Sequence, residues 1–463
     1  MFKWLTTIDR FRKYAIVMVV LTTIYLVWLV WAPKGILGAA FTILEFFMHA
    51  MVFMFVITNW TRRYAVTGGG YSMRTIVDVF ISTINEPIEV IERTVKSATK
   101  INHPNTRVYI LDDGCRDEVK ELCDKYRVNY LSRGEDNIKD KPYKAANMNY
   151  AFERTYGQYI LALDADQKVS PSIFDDVLGH FKDRHAGYVT TRQRFEVDKN
   201  DFNHDYLFYE YMQAGKASSF SPVSTGSGVV YRRSALDDIG GFQEWNIVED
   251  LYTSVVLNEY GYKGIYVAQA YTIGLAPKRL KNIYKQRGIW AQDSLRLLFF
   301  KNPLFNTKLS VLQKITYFEV GYIYLVCGIF IPGIFILDIY SLLWNEPILK
   351  VGLSYLLFKL PSFFFILYVY NLMSRGSAST SMWTALFPVY SRATLRAMFY
   401  KKPKYKPTPK KESKRKIKDI PYVVPHLVLI GLSIFALAYN FLTYDINMLL
   451  LVKLTWIILL FII

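Results

Sequence analysis

Two aspartates separated by one alanine end a short apolar stretch near the middle of the sequence. The stretch Tyr159–Leu163 has the composition of a buried strand, and Asp164 and Asp166 follow it directly. Alternate residues of an extended chain point the same way, so both carboxylates can face one spot at the strand's carboxyl end. Two carboxylates this close repel unless a cation lies between them, and an oxygen-only pair suits Mg²⁺ or Mn²⁺. Taken alone, such a pair also fits a solvated turn.

Carboxylates recur at two other places in the same part of the chain. Asp112 and Asp113 follow the strand-like run Val108–Leu111, and Glu249 and Asp250 come later in the sequence. Parallel strands present their carboxyl ends at one edge of a sheet, so the acids that end two of these strands should meet there. The sequence therefore predicts an acidic site at that edge.

A third pattern lies on a predicted helix, in the pentapeptide Gln286-Arg-Gly-Ile-Trp290. Positions four apart share a helix face, so Gln286 and Trp290 present an amide and an indole together. An aromatic face beside a hydrogen-bonding amide is a common way to hold a sugar ring. The alternative is that Trp290 anchors the helix at a membrane interface.

Strands and helices that could position these residues alternate along the middle of the chain. Their order predicts an α/β domain with a mostly parallel sheet and a site at the strands' carboxyl ends. The predicted strands are Val77–Ile81, Val108–Leu111, Val128–Leu131 and Tyr159–Leu163. The predicted helices are one starting at Asn85 with Pro87 in its first turn, Glu118–Tyr126 and Lys144–Arg154.

Long apolar segments lie on both sides of this middle part. The 463 residues are 52% hydrophobic, and six segments are apolar enough to cross a bilayer core of about 30 Å. These predicted spans are Tyr14–Ala32, Leu37–Ile57, Thr316–Tyr340, Val351–Tyr370, Val423–Tyr439 and Met448–Ile463. We expect Pro332 and Pro361 to bend or break their helices, because each frees a backbone carbonyl that then needs a polar partner.

The formal net charge of +17 fits either nucleic acid or a membrane surface. The densest basic cluster, residues 401–418, lies directly before a predicted span, which favours the membrane and excludes a nucleic acid partner.

Basic residues also precede the first span, so six spans place both termini and the α/β domain in the cytoplasm. The second span follows the first at once, which argues against a cleaved signal peptide. The three cysteines lack metal-ligand spacing and fit a reducing cytosol.

Together and in this order, the motifs resemble those of the membrane-embedded, processive family 2 glycosyltransferases, which include cellulose, chitin and hyaluronan synthases. The resemblance covers nearly the whole chain. It implies a Rossmann-like GT-A fold, a sugar nucleotide donor, a divalent cation (Mg²⁺ or Mn²⁺) and inversion at the anomeric carbon. It also divides the chain into six segments: 1–66 with two spans, 67–277 as the cytosolic GT-A domain, 278–312 with amphipathic interfacial helices, 313–374 with spans three and four, 375–421 with an interfacial helix and a basic gating loop, and 422–463 with spans five and six.

The same resemblance assigns roles to residues of this sequence. Asp250 matches the proposed general base, and Asp164 and Asp166 match the acids that hold the metal-bound diphosphate. Positions that match the nucleotide pocket are Thr83, Glu86, Asp112, Asp113 and Lys144. Positions that match the acceptor site are Thr225, Gly226, Glu249, Gln286 and Trp290.

Two further comparisons with the family concern loops. Tyr405-Lys-Pro-Thr-Pro-Lys410 resembles the gating loop of cellulose synthases, with Thr408 and Lys410 at its polar positions, although a basic loop that attracts lipid fits equally. Ile289 stands where the family usually has an arginine that contacts diphosphate, and Arg287 is the candidate to take that role. Because the sequence ends at Ile463, we expect no cyclic-di-GMP-binding domain.

We therefore expect a plasma-membrane enzyme that polymerises a β-glucan from UDP-glucose at the cytosolic face and secretes it through its own spans. Its partners would be the UDP-sugar donor, the growing polysaccharide, membrane lipid and an accessory secretion protein. Three alternatives stay open: a chitin- or hyaluronan-type synthase that uses UDP-N-acetylglucosamine, a single-transfer enzyme acting on a polyprenyl phosphate, and a catalytically silent membrane scaffold or transporter. The sequence leaves the sugar and its linkage undetermined.

Overall fold

The computed structural model describes residues 2–65, 70–136, 144–199, 201–350, 352–376, 379–401 and 420–444. Its α/β domain is built on an eight-stranded sheet with the order β3-β2-β1-β4-β7-β6-β8-β5. The strands are β1 (Val77–Thr83), β2 (Thr106–Asp112), β3 (Asn129–Leu131), β4 (Tyr159–Asp164), β5 (Lys168–Val169), β6 (Ala186–Phe195), β7 (Val229–Arg232) and β8 (Lys263–Gly274). The four strands predicted from the sequence are all present, and they pair in parallel. The other half of the sheet is mixed, because β7 runs antiparallel to both of its neighbours.

Sixteen α-helices are found in the described part of the chain. They are α1 (Phe2–Trp31), α2 (Gly35–Asn59), α3 (Ile88–Ala98), α4 (Asp117–Tyr126), α5 (Lys144–Arg154), α6 (Ile173–Val177), α7 (Gln213–Lys216), α8 (Arg233–Asp238), α9 (Glu249–Glu259), α10 (Leu280–Phe300), α11 (Val311–Leu325), α12 (Ile331–Leu343), α13 (Gly352–Met373), α14 (Ser379–Ala385), α15 (Phe387–Met398) and α16 (Ile420–Thr443). The helix predicted at Lys144–Arg154 has these bounds, whereas the one predicted from Asn85 begins three residues later, after Pro87.

Both faces of the central strands are buried, which explains their nearly continuous apolar sequences. Along β4, Leu161 and Leu163 pack into the core on the side of α3, α4 and α6, whereas Ile160 and Ala162 pack into the core on the side of α5 and α9. Alternate residues of a strand point to opposite faces, so one apolar run supplies both cores. The carboxyl ends of β1, β2 and β4 are thereby held at one edge.

Five of the described helices are long and apolar enough to cross a membrane: Arg10–Trp31, Gly35–Asn59, Val311–Leu343, Gly352–Met373 and Ile420–Thr443. They coincide with the first five predicted spans, and the sixth, Met448–Ile463, lies outside the described residues. The third helix contains a π-helical turn, Val326–Phe330, directly before Pro332. The Gly328 carbonyl, which would otherwise pair with the missing N–H of Pro332, accepts a hydrogen bond from Ser391 Oγ at 2.5 Å. By contrast, Pro361 lies within the continuous helix α13.

Candidate active site

A cavity of about 280 Å³, here called the site cavity, lies at the carboxyl ends of β1 and β4 and is closed on another side by α10. It brings together residues that are far apart in the sequence. The predicted site residues that line it are Thr83, Glu86, Asp113, Lys144, Asp164, Asp166, Thr225, Gly226, Glu249, Asp250, Gln286, Arg287 and Trp290. Asp112 does not line it, and Thr408 and Lys410 lie outside the described residues.

The Asp-Ala-Asp sequence lies at the end of β4, as predicted, and both of its carboxylates line the site cavity. Lys144, the first residue of α5, donates hydrogen bonds to Asp164 Oδ1 at 2.7 Å and to the Gly226 carbonyl at 2.6 Å. Asp166 Oδ2 accepts a hydrogen bond from the Leu275 N–H at 3.1 Å. The side chain of Asp164 is still 40% exposed, so a ligand in the cavity can reach it.

Glu249 and Asp250 form the first turn of α9, where backbone N–H groups favour negative charge. The Leu251 N–H donates to Asp250 Oδ1 at 2.7 Å, and Lys144 Nζ lies 3.4 Å from Glu249. Burial and then the charge of Glu249 raise the pKa of Asp250 to about 8, against the opposing effect of Lys144. Burial also raises the pKa of Glu249. Asp250 can therefore change protonation state near neutral pH, as a catalytic proton acceptor must.

Gly226 allows the backbone to approach these charged groups closely. Its φ is +74°, a conformation that side chains disfavour. A Cβ atom at this position would lie 2.8 Å from Asp250 Oδ2 and 3.4 Å from Lys144 Nζ. Nearby, Ser224 Oγ donates to the Asp250 carbonyl at 2.8 Å, which ties this loop to the first turn of α9.

Thr83 and Glu86 shape the turn that follows β1. Glu86 Oε2 accepts hydrogen bonds from Thr83 Oγ1 at 2.7 Å and from the Ile84 N–H at 2.8 Å. Arg116 fixes the same turn from outside the motif, because it donates to Thr83 Oγ1 at 2.9 Å and to the Glu86 carbonyl at 2.7 Å. The turn is thus held in one shape on the cavity wall.

The two aspartates after β2 occupy different environments. Asp112 is fully buried and accepts hydrogen bonds from the Gly114 N–H at 3.0 Å, the Arg116 N–H at 2.8 Å and the Arg116 guanidinium. Asp113 lines the site cavity and forms a two-point ion pair with Arg133, at 2.9 and 2.7 Å. Burial raises the pKa of Asp113, against the effect of Arg133. Asp112 therefore stabilises the turn that presents Asp113.

On α10, Gln286, Ile289 and Trp290 line the site cavity together with Arg287. Arg287 is buried and its Nη1 lies 2.9 Å from Asp205 Oδ2, so its charge is compensated within the protein. At position 289, where the family named above usually has an arginine, this chain has the apolar Ile289. The nearby Arg287 is already paired with Asp205. The Trp383 indole N–H donates to the other oxygen of Asp205, at 3.2 Å.

Asp293 supports the site, although the sequence patterns did not single it out. It is fully buried, and its Oδ2 accepts hydrogen bonds from the Ile247 N–H at 2.5 Å and the Val248 N–H at 2.9 Å. These contacts attach α10 to the loop that leads into Glu249 and Asp250. Helical periodicity could have identified Asp293, because it is seven residues after Gln286 and lies on the same face of the helix.

Among the described residues that line the site cavity, carboxylates greatly outnumber cations. The carboxylates are Glu86, Asp113, Asp164, Asp166, Glu249, Asp250 and Glu319, and the cations are Lys144 and Arg287. Asp113 and Glu319 are paired with Arg133 and Lys216, but the two carboxylates at the end of β4, Asp164 and Asp166, fit a hard divalent cation. No group of three or more His, Cys, Asp or Glu ligands occurs in the described part of the chain. A cation bound to Asp164 and Asp166 would therefore complete its coordination with water or substrate oxygens.

A second cavity, of about 390 Å³, lies among the membrane-crossing helices and is here called the membrane cavity. Its walls are mostly aliphatic and aromatic side chains of α2, α12, α13 and α16. Met212, Ile323 and Trp383 line both cavities, so the two spaces are neighbours.

Comparison with known proteins agrees with this geometry. The profile of the family described as "Glycosyl transferase family 2" matches residues 78–240. Over 254 residues the chain is 35% identical to the UDP-forming cellulose synthase catalytic subunit of Pseudomonas fluorescens, and the match covers 52% of this chain and 34% of that protein. The corresponding subunit of Xanthomonas axonopodis pv. citri is 30% identical over 254 residues, again with 52% and 34% covered. The chain spans about a third of the length of these curated relatives.

Among solved structures, a mannosyltransferase from Pyrobaculum calidifontis, determined with GDP-Man and Mn²⁺, superposes with a TM-score of 0.59. The two sequences are 16% identical, and the match covers 79% of this chain and 100% of that one. The likeness concerns the fold and confirms the predicted GT-A architecture.

Proposed function

We propose that the chain is a cellulose-synthase-like family 2 glycosyltransferase that polymerises a β-glucan from UDP-glucose. Transfer occurs at the cytosolic face, and the product leaves through the membrane part of the same chain. One observation carries this proposal: the cavity that holds Asp164, Asp166 and Asp250 shares three lining residues, Met212, Ile323 and Trp383, with a second cavity among the membrane helices. That arrangement suits an enzyme whose product moves from the site into the membrane.

In this proposal the donor lies along the carboxyl ends of β1 and β4. Thr83, Glu86, Asp113 and Lys144 face the nucleotide, and Asp112 supports them from behind. Asp164 and Asp166 would hold Mg²⁺ or Mn²⁺, which, when bound, neutralises the departing diphosphate. Lys144 adds a positive charge beside Asp164. Arg287 contributes less than an unpaired arginine would, because Asp205 compensates its charge.

Asp250 acts as the general base. The oxygen of an acceptor hydroxyl attacks C1 of the donor sugar while the bond from C1 to the diphosphate breaks. The hydroxyl proton goes to Asp250, and the bonding electron pair leaves with UDP. A single in-line displacement inverts C1, so an α-linked donor gives a β-linked product. The raised pKa of Asp250 makes it a stronger base than an ordinary aspartate.

The acceptor lies on the α10 side of the site cavity. Trp290 and Gln286 offer an indole face and an amide, and Thr225, Gly226 and Glu249 line the space next to Asp250. Ile289 is apolar, and Arg287 on the same helix is paired with Asp205, so α10 offers no uncompensated positive charge to the acceptor. The absence of such a charge suits a neutral sugar chain better than a uronate-containing one.

The remaining expectations about location also belong to this proposal. The chain is a multi-pass protein of the plasma membrane, with its α/β domain and both termini in the cytoplasm, and it keeps the six-segment division given above. Five helices of suitable length and the basic residues beside them support this orientation. Membrane lipid and an accessory secretion protein are its further partners.

The test uses full-length protein in nanodiscs with Mg²⁺ or Mn²⁺ and one radiolabelled UDP-sugar at a time. The product is sized and then digested with linkage-specific glucanases and with chitinase. We expect a high-molecular-weight product from UDP-glucose alone that β-glucanase degrades. A chitinase-sensitive polymer from UDP-N-acetylglucosamine would correct the donor, and a single sugar extracted with lipid would contradict polymerisation.

A further inference from the structure

The membrane part contains a buried charged cluster that the proposed chemistry does not use. Glu45 and His49 lie one turn apart on α2, and Lys359 lies on α13. Lys359 Nζ donates to Glu45 Oε2 at 2.5 Å, and His49 Nδ1 lies 3.2 Å from the same oxygen. All three side chains are at most 3% exposed. Charged groups at such positions are costly, so they are rare and commonly functional.

Two members of this cluster face the membrane cavity. Lys359 and His49 line it, whereas Glu45 lies behind them. The Glu45 carbonyl and carboxylate both contact His49 Nδ1, and no described residue hydrogen-bonds its Nε2. The Lys359 ammonium also lies 4.7 Å from the centre of the Tyr25 ring, which fixes the lysine further. One wall of a mostly apolar cavity thus carries two positioned hydrogen-bonding groups.

Several other polar side chains on the described walls are engaged, whereas the Tyr370 hydroxyl and His426 Nδ1 have no hydrogen-bond partner among the described residues. Ser433 Oγ donates to the Leu429 carbonyl of its own helix at 2.9 Å. His426 Nε2 contacts the Ala385 carbonyl at 2.6 Å. The cluster of Glu45, His49 and Lys359 is therefore the main ionic feature on the described walls of the membrane cavity.

The charge balance of the cluster indicates what it can bind. Glu45 compensates Lys359, so the wall attracts neither anions nor cations strongly. A lipid tail cannot form hydrogen bonds, whereas sugar hydroxyls must replace the hydrogen bonds they lose on leaving water. We propose that His49 and Lys359, held in place by Glu45, form a subsite for hydroxyl groups of an uncharged glycan that passes through the membrane cavity. The proposal rests on the proposed polymerising function.

The competing explanation is that the ion pair only clamps α2 to α13. Removal of one charge of the pair would leave the other buried and unpaired, so a single substitution of Glu45 or Lys359 cannot separate the two explanations. The double variant Glu45→Gln with Lys359→Met removes both charges and keeps similar volumes. A purely structural clamp predicts normal synthesis by any double variant that inserts and folds, because no unpaired charge remains.

The experiment compares full-length wild-type protein and this double variant in nanodiscs with UDP-glucose and Mg²⁺. UDP release in the first turnovers reports transfer, and gel filtration of the labelled product reports its length. If the subsite binds hydroxyls, we expect first-turnover UDP release within about twofold of wild type and product length reduced roughly tenfold, since only the chain beyond the site loses its contacts. Full-length product from the double variant would overturn the inference.

A matched control removes a polar contact between the neighbouring helices α1 and α13. Thr22 Oγ1 lies 3.1 Å from Ser362 Oγ, and neither residue lines the membrane cavity. The pair Thr22→Val with Ser362→Ala should leave product length unchanged, and equal shortening in this control would overturn the inference. If the double variant fails to insert, His49→Met decides, because it keeps the ion pair: shortened product supports the subsite and normal length refutes it. A wild-type protein that makes no polymer would contradict the proposed function itself.

Discussion

The site cavity and the membrane cavity both enclose ionisable side chains, but they arrange the charges differently. In the site cavity Asp250 is buried beside Glu249, and burial and then the charge of Glu249 raise the pKa of Asp250 to about 8. In the membrane cavity the Lys359 ammonium is matched by Glu45 at 2.5 Å. The first arrangement costs stability but suits the proposed base and cation site, whereas the second lowers the cost of burial and leaves a nearly neutral wall.

This difference shows why buried charge alone does not identify a catalytic group. Lys359 is fully buried, yet its partner cancels its charge. Asp250, by contrast, lies beside another negative carboxylate, Glu249. Lys144, the cation near both, also pairs with Asp164. We infer that incomplete compensation marks the proposed reacting site, and the predictions below alter the charges or the space around it.

The largest effect is expected for Asp250→Asn. The amide cannot accept the hydroxyl proton, so polymer synthesis should fall about 100- to 10,000-fold. Donor binding should stay within about twofold, because in the proposed mechanism Asp250 receives a proton and does not hold the donor. Initial-rate assays and calorimetric titration with UDP-glucose measure the two quantities. Substantial turnover in this variant would remove Asp250 as the base.

Much of the α/β domain could be predicted from local sequence. The strands that end in Asp112 and Asp164, and the helix Lys144–Arg154, follow from short apolar runs and helical periodicity. The antiparallel strand β7 was not predicted, because its four residues pair with β4 and β6 across long sequence separations. Pairings of this kind depend on tertiary contacts that no local pattern records.

The candidate site was also largely predictable, because its acids follow strands whose ends must meet. Its supporting residues were not. Asp293, Arg116 and Asp205 act through hydrogen bonds to segments that are distant in the sequence. The pairing of Asp205 with Arg287 matters most, because the sequence alone suggested an arginine available for diphosphate.

The next prediction concerns space beside Asp250. Gly226→Ala places a Cβ 2.8 Å from Asp250 Oδ2, so the base must move, and activity should fall about 100-fold. Gly240→Ala is the matched control: Gly240 has a similar φ of +76°, but no atom lies within 4 Å of the position that its Cβ would occupy. Both variants carry the same backbone strain, so equal loss of activity would show that strain, and not crowding of the base, is responsible.

Replacement of Asp166 tests the cation. Asp166→Ala removes one of two oxygen donors at the end of β4, and metal-supported affinity for UDP-glucose should fall about 10- to 100-fold. Calorimetric titration with and without Mg²⁺ measures this effect. Affinity without the metal is the internal control and should match wild type. If Mg²⁺ strengthens donor binding equally in both proteins, the proposed metal site is wrong.

The pH dependence of kcat/KM tests whether Glu249 raises the pKa of Asp250. Asp250 must be ionised to accept a proton, so kcat/KM should rise with pH to about 8, by about tenfold per unit on the acid side. Glu249 raises this pKa, so Glu249→Gln should move the rising limb to lower pH. A divalent cation bound nearby would also lower the pKa of Asp250. A limb that stays in place in the variant would show that another group controls it.

The smallest effect concerns stability, and its sign follows from the raised pKa. The folded protein favours protonated Asp250, so that contribution to stability is complete below the ordinary value near 3.8 and is lost as the pH rises through about 8. Asn cannot ionise, so Asp250→Asn should unfold about 2 °C above wild type at pH 9, with little difference at pH 5. Thermal unfolding in detergent at both pH values measures the gap. A variant that is less stable than wild type at pH 9 would mean that ionised Asp250 is well compensated, and the contrast between the two cavities would then disappear.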